Sequence, residues 1–282
     1  MDNELYAYQP ITERPQLTFP DGKKLAFYVG LNIEHFYVDK PSMKPNAPDP
    51  MSHGQRDYGT RVGIWRLFDL FDEVGLRASA ITNSDVCSRY PQIVKAGIER
   101  NWAWIAHGQT NSIMQANMSV AEEEIFLKEM MEAFDASLPS RPKGWLGPGL
   151  SETFETPRIL REYGPTYLLD WCADDQPFPL SIPGMISVPY SLEVNDISMW
   201  RSTALSGPDY ERNVMDQFEV LLADAQKTGM VMALPIHTFV VGQPYLFKYL
   251  SRVLRAICSN EDVWVCTSDD IAEHYLATTS VA

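Results

Sequence analysis

A distorted (β/α) barrel is the architecture this sequence predicts, and three observations predict it. Short apolar runs alternate with segments of helical periodicity along most of the 282 residues, the order expected of a parallel sheet wrapped by helices. Several of the runs are almost continuously apolar, as strands buried on both faces are. No G-x-G-x-x-G follows the first run, which weakens the dinucleotide-binding form of an open sheet, the alternative arrangement. About eight strands and about seven helices over roughly 250 residues suit a barrel in which one unit lacks its helix.

Taken in order, residues 1–22 are polar and proline-bearing and read as an N-terminal extension wrapping the domain. Lys24–Ile33 (KLAFYVGLNI) is the first strand, followed by Asn32-Ile33-Glu34-His35 at its end. Phe36–Tyr58 carries four prolines and reads as a long functional loop. Gly59–Val74 has helical spacing and a stop at Gly75. Arg77–Thr82 is a strand, Pro91–Arg100 a short helix and Trp102–Ala106 the third strand. Ser119-x-x-Glu122 is a capping box opening a helix that presents Leu127, Met130, Met131 and Phe134 on one face.

Beyond it, Lys143–Leu146 is a strand, Phe154–Tyr163 a helix, and Thr166–Trp171 and Ile186–Tyr190 are strands with no helix evident between them. Tyr210–Thr228 is a helix, Gly229–His237 a strand and Pro244–Cys258 a helix with proline in its first turn. Val263–Thr267 is the last strand, and Ser268 caps a final helix. With no repeat, low-complexity tract or linker, the sequence reads as one catalytic domain over residues 1–282.

A formal net charge of −14 argues against nucleic acid or an anionic membrane as partner. The N-terminus lacks the basic region and apolar core of a signal peptide, and no apolar run approaches the ~20 residues of a membrane span. Cys87, Cys172, Cys258 and Cys266 form no C-x-x-C and read as free thiols. A cytoplasmic location and a small-molecule substrate are the expectation.

Chemistry in a barrel collects where strands end. Those ends carry Asn32 and Glu34 on the first strand, His107 on the third, Trp145 on the fourth, Asp170 with Asp174 and Asp175 on the fifth, Asn195 and Asp196 after the sixth, and His237 on the seventh. Each has a structural reading: a core histidine, a Glu34 salt bridge to Arg61 or Arg141, a turn at Asp174-Asp175. Shared occupancy of one rim by Glu34, His107 and His237 favours function. His53 and His274 read as solvated.

The runs LNIE, AHGQTN, RPKGWLGPG, LLDWCADDQPF and LPIHTFVVGQP, in that order along the chain, resemble the polysaccharide deacetylase (NodB-homology, carbohydrate esterase family 4) superfamily. DYGTRVGIWRLFDLF and YSLEVNDI resemble its allantoinase and cyclic imide hydrolase branch. The resemblance implies a metal, usually zinc, held by an acid and two histidines, with a second aspartate as base and a late histidine as general acid. Glu34 matches the metal-binding acid and His107 the first metal histidine; Asn111 falls where the second stands, Asn32 on the base and His237 on the late histidine. The metal set Glu34, His107 and Asn111 is therefore degenerate, and zinc or another divalent ion is expected to bind weakly or not at all, because an amide is a poor zinc ligand beside imidazole.

These matches imply a hydrolase of non-peptide C–N bonds, opening a small cyclic amide, imide or ureide. Glu34, His107 and His237 are its catalytic residues, and Asn32, Trp145, Trp171, Asp174 and Asp175 contact substrate. The alternatives are a metal-dependent N-deacetylase of a sugar, peptidoglycan fragment or small acetylated amine, and a catalytically silent ligand-binding relative. The same resemblance implies a homo-oligomer, a dimer or tetramer.

Overall fold

The computed structural model describes residues 4–38, 49–203 and 206–279, without the side chains of 201–203. Among these residues nine strands form one curled sheet: β1 (Leu25–Ile33), β2 (Ser79–Thr82), β3 (Ala103–Ala106), β4 (Gly144–Trp145), β5 (Tyr167–Leu168), β6 (Phe178–Pro179), β7 (Ile186–Ser187), β8 (Met230–His237) and β9 (Val263–Val265). Their order is β6-β7-β5-β4-β3-β2-β1-β8, with β9 also on β1. Every pairing is parallel except β6 with β7. β1 is the spine: β8 runs along nearly its full length, β9 pairs its first residues and β2 its last.

Helices α1 (Pro50–Tyr58), α2 (Ile64–Val74), α3 (Ser84–Arg89), α4 (Pro91–Glu99), α5 (Val120–Asp135), α6 (Thr156–Tyr163), α7 (Asp196–Thr203), α8 (Gly207–Asp224), α9 (Pro244–Cys258) and α10 (Ser268–Thr278) surround the sheet. Alternation along β1 divides the core in two. Leu25, Phe27, Val29, Leu31 and Ile33 join the layer between sheet and helices. Ala26 and Tyr28 face the barrel interior with Ile81, Ile105, Leu146, Tyr167 and Ala233. Leu17 and Phe19 of the N-terminal segment, with Ile271 and Ala272 of α10, belong to that interior cluster, so the extension plugs the barrel as well as wrapping it.

Several sequence expectations change. Of the loop expected over Phe36–Tyr58, residues 39–48 lie outside the described residues, and Pro50–Tyr58 is helix α1. Asp49 caps it by accepting from Ser52 N, with Pro50 in the first turn. A π-helical segment, Gly59–Gly63, then carries the chain into α2. Helices α3 and α7 and the β6–β7 hairpin were not expected; they are too short for periodicity to reveal. The N-cap of α10 is Thr267 rather than Ser268, in a capping box with Asp270.

Among the described residues no hydrogen-bonded pairing joins β7 to β8. The segment after β5 runs along β8 instead, where Asp175 O accepts from Val231 N at 2.8 Å and Gln176 Nε2 donates to Gly229 O at 2.7 Å. Gly63 is packed beneath the loop after β8, and a Cβ there would stand 2.1 Å from Thr238 O. Gly63→Ala should therefore destabilise the fold by about 1–3 kcal/mol, measurable as a lower midpoint in urea unfolding.

Candidate functional site

Glu34 leaves β1 with a side chain only 6% exposed. Burying a lone carboxylate is strongly unfavourable; an amide donor and a charged imidazole replace the lost water, and a second imidazole stands beside them. Asn111 Nδ2 donates to Glu34 Oε1 at 2.5 Å. The Nε2 atoms of His107 and His237 each stand 3.6 Å from that same oxygen.

The two histidines are held differently. His107 follows β3, and Gly108 beyond it has φ +65° with no room for a side chain, since a Cβ would meet Pro148 Cγ at 2.7 Å. His107 Nδ1 lies 2.6 Å from Leu146 O. A carbonyl only accepts, so Nδ1 carries the proton and Nε2 presents a lone pair in the neutral ring. That Nε2 is buried without a hydrogen-bond partner among the described residues.

His237, the last residue of β8, is gripped by Asp196 at the start of α7. Its Nδ1 lies 2.7 Å from Asp196 Oδ1, and its backbone N–H donates to Oδ2 at 2.8 Å. Burial opposes charge on this ring, but Asp196 and Glu34 outweigh it and raise the His237 pKa to about 10. Burial likewise pushes Glu34 up, yet the charge of His237 pulls it well below the usual carboxylate range. Burial also raises Asp196; the donors on both its oxygens require two acceptors, which the carboxylate supplies. His237 is thus an imidazolium between two carboxylates.

Asn83, just past β2, sets the orientation of Asn111. Its Oδ1 accepts from His35 N at 2.8 Å, and its Nδ2 donates to His107 O and, at 2.8 Å, to Asn111 Oδ1. Because one backbone donor and one backbone acceptor fix Asn83, the Asn111 oxygen must face Asn83 and its NH₂ must face Glu34. These residues do not fit the metal implied by sequence. Asn111 aims an N–H where a ligand lone pair would be needed, and among the described residues no group of three or more His, Cys, Asp or Glu side chains is arranged to hold a metal ion.

The structure therefore brings Glu34, His107, His237 and Asn111 together. Asn32 lies inside the barrel beside His237 in register, its amide donating to Tyr190 Oη at 3.1 Å and Ile236 O at 3.2 Å. Trp145 is not a site wall: it is fully buried in the helix-side core, because Gly144 takes the interior position over the Tyr167 ring. Asp174 and Asp175 are also elsewhere. Asp175 sits at Val231, six residues before His237 and so about 20 Å down β8 at ~3.3 Å per residue, and Asp174 pairs with Arg14 of the N-terminal segment at 2.5 Å. The chain turns back after β5, which no local pattern signals.

Trp171 borders a neighbouring cavity with Asp170 and Glu152. Arg141 pairs with Asp135 and reaches no site carboxylate. His274 is half-buried on α10 with its Nε2 2.6 Å from Thr18 O, and His53 is half-buried on α1. Asn83 went unrecognised although the rule that found Glu34, residues at strand ends, also points to it. Asp196 was on the rim, but its service to His237 depends on α7.

The fold has close counterparts. A Pseudomonas aeruginosa PAO1 structure named as a polysaccharide deacetylase superposes with a TM-score of 0.85 at 21% identity, over 94% of this chain and 95% of that one. The fold is that of the polysaccharide deacetylases. A crystal structure of PuuE allantoinase matches at TM-score 0.84 and 23% identity over 94% of each chain. A Schizosaccharomyces pombe (strain 972) protein named as a polysaccharide deacetylase is 24% identical over 280 residues, covering 91% of this chain and 87% of its own length. No family model matches. The resemblance carried by the five sequence motifs thus extends to the architecture, the distorted barrel included. No helix of the described residues is long and apolar enough to cross a membrane.

Charge in the site dictates a pH profile. Glu34 is depressed, so its contribution to stability is complete above its ordinary value of 4.5 and declines as pH falls through the depressed value. His237 is raised, so its contribution is complete below its ordinary 6.5 and is lost as pH rises through about 10. The stability difference between the wild type and His237→Gln should shrink from pH 6.5 towards 10, and the His237 ring should titrate near pH 10 by NMR. A His237 midpoint near its ordinary value would contradict the ion triad.

Proposed function

We propose that this protein is a hydrolase of carbon–nitrogen bonds other than peptide bonds, opening a small cyclic amide, imide or ureide. The observation carrying this reading is the convergence of His107 Nε2 and His237 Nε2 on one oxygen of Glu34, each 3.6 Å away. Two imidazoles of opposite character meet there. With its Nδ1 on Leu146 O, His107 directs Nε2 towards the cleft to offer a lone pair, and His237 offers a proton.

Hydrolysis of an amide needs a base for the attacking water, a donor for the developing oxyanion and an acid for the leaving nitrogen. In this reading His107 Nε2 takes a proton from the water, while Glu34 accepts its other hydrogen and orients it. A depressed pKa makes Glu34 a poor base but a constant acceptor. His237 Nε2–H polarises the carbonyl and then protonates the leaving nitrogen. Asp196 holds that ring in the required tautomer and stabilises its charge, as the carboxylate of a catalytic triad does. In a ring, both products stay tethered, so one site completes the reaction.

The PuuE allantoinase counterpart supports the ring-opening reading. N-deacetylation is the second reading, supported by the names of the fission-yeast and Pseudomonas counterparts; the same acid and base would release acetate from an N-acetyl group. An oligomer and a cytoplasmic setting remain part of the proposal, and a 32 kDa species in solution would contradict the first of these.

Assays with a panel of hydantoins, imides and N-acetylated sugars separate the readings. Ring opening without acetate release is the expected result, with acetate release supporting the second reading. Glu34→Gln, His237→Ala and Asp196→Asn should each lower kcat by about 10²–10⁴-fold, with Asp196→Asn also shifting the pH profile. Dialysis against chelator should leave the rate unchanged, because Asn111 presents no lone pair to a metal. Loss of activity that only added zinc restores would overturn that assignment.

A further inference from the structure

His237 has two tasks in the proposed hydrolysis and a single Nε2–H for both. That proton polarises the carbonyl oxygen and then passes to the leaving nitrogen, and a donor well aimed at one atom is poorly aimed at the other. Amide hydrolysis is better served by a separate donor held on the oxyanion. The interior face of β1 supplies one. Tyr190, just past β7, is 5% exposed, and its ring lies over Gly30, where a Cβ would stand 3.2 Å from Tyr190 Cε2. The hydroxyl reaches the next interior-facing residue, Asn32, whose Nδ2 is 3.1 Å from Tyr190 Oη. Glu34 follows two residues later, so the tyrosine points along β1 towards the rim.

The neighbours of Asn32 fix the direction of this bond. Asn32 Nδ2 also lies 3.2 Å from Ile236 O and 3.5 Å from Gly30 O, two carbonyls that can only accept. The amide nitrogen therefore faces Tyr190, whose oxygen accepts and whose own O–H must be donated elsewhere. Among the described residues Asn32 is the one hydrogen-bond partner of Tyr190 Oη. Two other interior tyrosines behave differently: Tyr28 Oη donates to Pro189 O at 2.6 Å and Tyr167 Oη to Asp269 Oδ1 at 2.7 Å. Burial pushes the Tyr190 hydroxyl well up against the pull of Asn32, and Asp196 and Glu34 push it further, so it keeps its proton. A cavity of about 290 Å³, lined by Cys172, Asp175, Glu193 and Val231, borders Tyr190 where β7 and β8 are not joined. Asn32 is not on its wall, which leaves the hydroxyl end of the ring on the β1 side.

We propose that Tyr190 is a catalytic oxyanion donor, its hydroxyl held by Asn32 and directed at the carbonyl oxygen of the C–N group under attack. This rests on the reading that a C–N bond is hydrolysed at Glu34, and it applies to a ring amide and an N-acetyl group alike. The water oxygen bonds to the carbonyl carbon as His107 takes one water proton. The carbonyl π pair moves onto oxygen, where Tyr190 donates a hydrogen bond without giving up its proton. On collapse the C=O bond re-forms, the C–N pair leaves with nitrogen, and nitrogen takes the proton of His237. His107 has gained the proton that His237 has lost, and exchange with solvent resets both. Asn32 is a positioning residue here, and its amide matters: a carboxylate at 32 would accept the tyrosine proton and withdraw it from the cleft.

Infrared spectroscopy of carbonyl-¹³C-labelled hydantoin, succinimide and N-acetylglucosamine on the full chain reads this contact without turnover. Bound to Glu34→Gln, a probe should show its carbonyl stretch at lower frequency than when bound to Glu34→Gln with Tyr190→Phe. In the otherwise wild-type chain, Tyr190→Phe should lower kcat about 10²–10³-fold with KM changed less than about twofold. Asn32→Leu should lower kcat less and add nothing to Tyr190→Phe, because both remove one interaction. An unchanged stretch, or a kcat that survives Tyr190→Phe while the melting temperature falls, overturns the assignment and leaves Tyr190 a packing residue. Should Tyr190→Phe fail to fold, Asn32→Leu, which unpins the hydroxyl, carries the same two readouts. A shifted stretch without turnover keeps Tyr190 as the carbonyl donor and rejects hydrolysis, whereas turnover without a shift does the reverse. Failure of all three probes to bind overturns the donor.

Discussion

A buried carboxylate at the end of the central strand is the constraint around which the rest of the structure is arranged. Removing an ion such as Glu34 from water costs several kcal/mol even after relaxation, while unit charges about 4 Å apart recover about 4 kcal/mol at an effective dielectric near 20. The two effects are comparable, so Glu34 is tolerable only where its partners are complete. They come from two separate places, the end of β8 and the loop beyond His107, with the His107 ring beside them at the end of β3. Each partner is held in turn, His107 by Leu146 O, His237 by Asp196 and Asn111 by Asn83. Such a network contributes more to a defined geometry than to net stability.

In the mechanism proposed above, the same network replaces a metal-type arrangement with an acid–base one. Asn83 is bonded to the backbone on both sides, so the orientation of Asn111 follows without adjustment. An amide N–H takes the third position around Glu34, beside the two imidazoles to which the proposed mechanism gives the proton chemistry. A substitution at Asn111 therefore alters the contact with Asn83 as well as the one with Glu34.

The barrel is irregular around this site. β4, β5 and β7 are two residues each, too short to determine much by pairing alone, and β7 is not joined to β8 among the described residues. The segment after β5 fills that side, while Leu17 and Phe19 seal the interior from the opposite end. The rim segments 111–118 and 146–154 supply Asn111 to the Glu34 cluster and Ala116, Leu150 and Glu152 to the neighbouring cavity.

By itself the sequence determined the long strands, the large amphipathic helices and the strand-end positions of Glu34, His107 and His237. Periodicity and apolar continuity are local properties, and in a parallel barrel all strand ends face one rim. Urea unfolding of Gly63→Ala probes a contact of another kind, between Gly63 and Thr238, far apart in the chain, which no local pattern reveals. Only the tertiary structure decided that Trp145 points into the helix layer and that Asp174 and Asp175 descend to the far end of β8. It also decided that Asp196 belongs to His237 and that Asn83 turns Asn111 towards Glu34. Those assignments depend on where the chain reverses and on which way an amide faces, both set by hydrogen bonds between residues far apart in sequence.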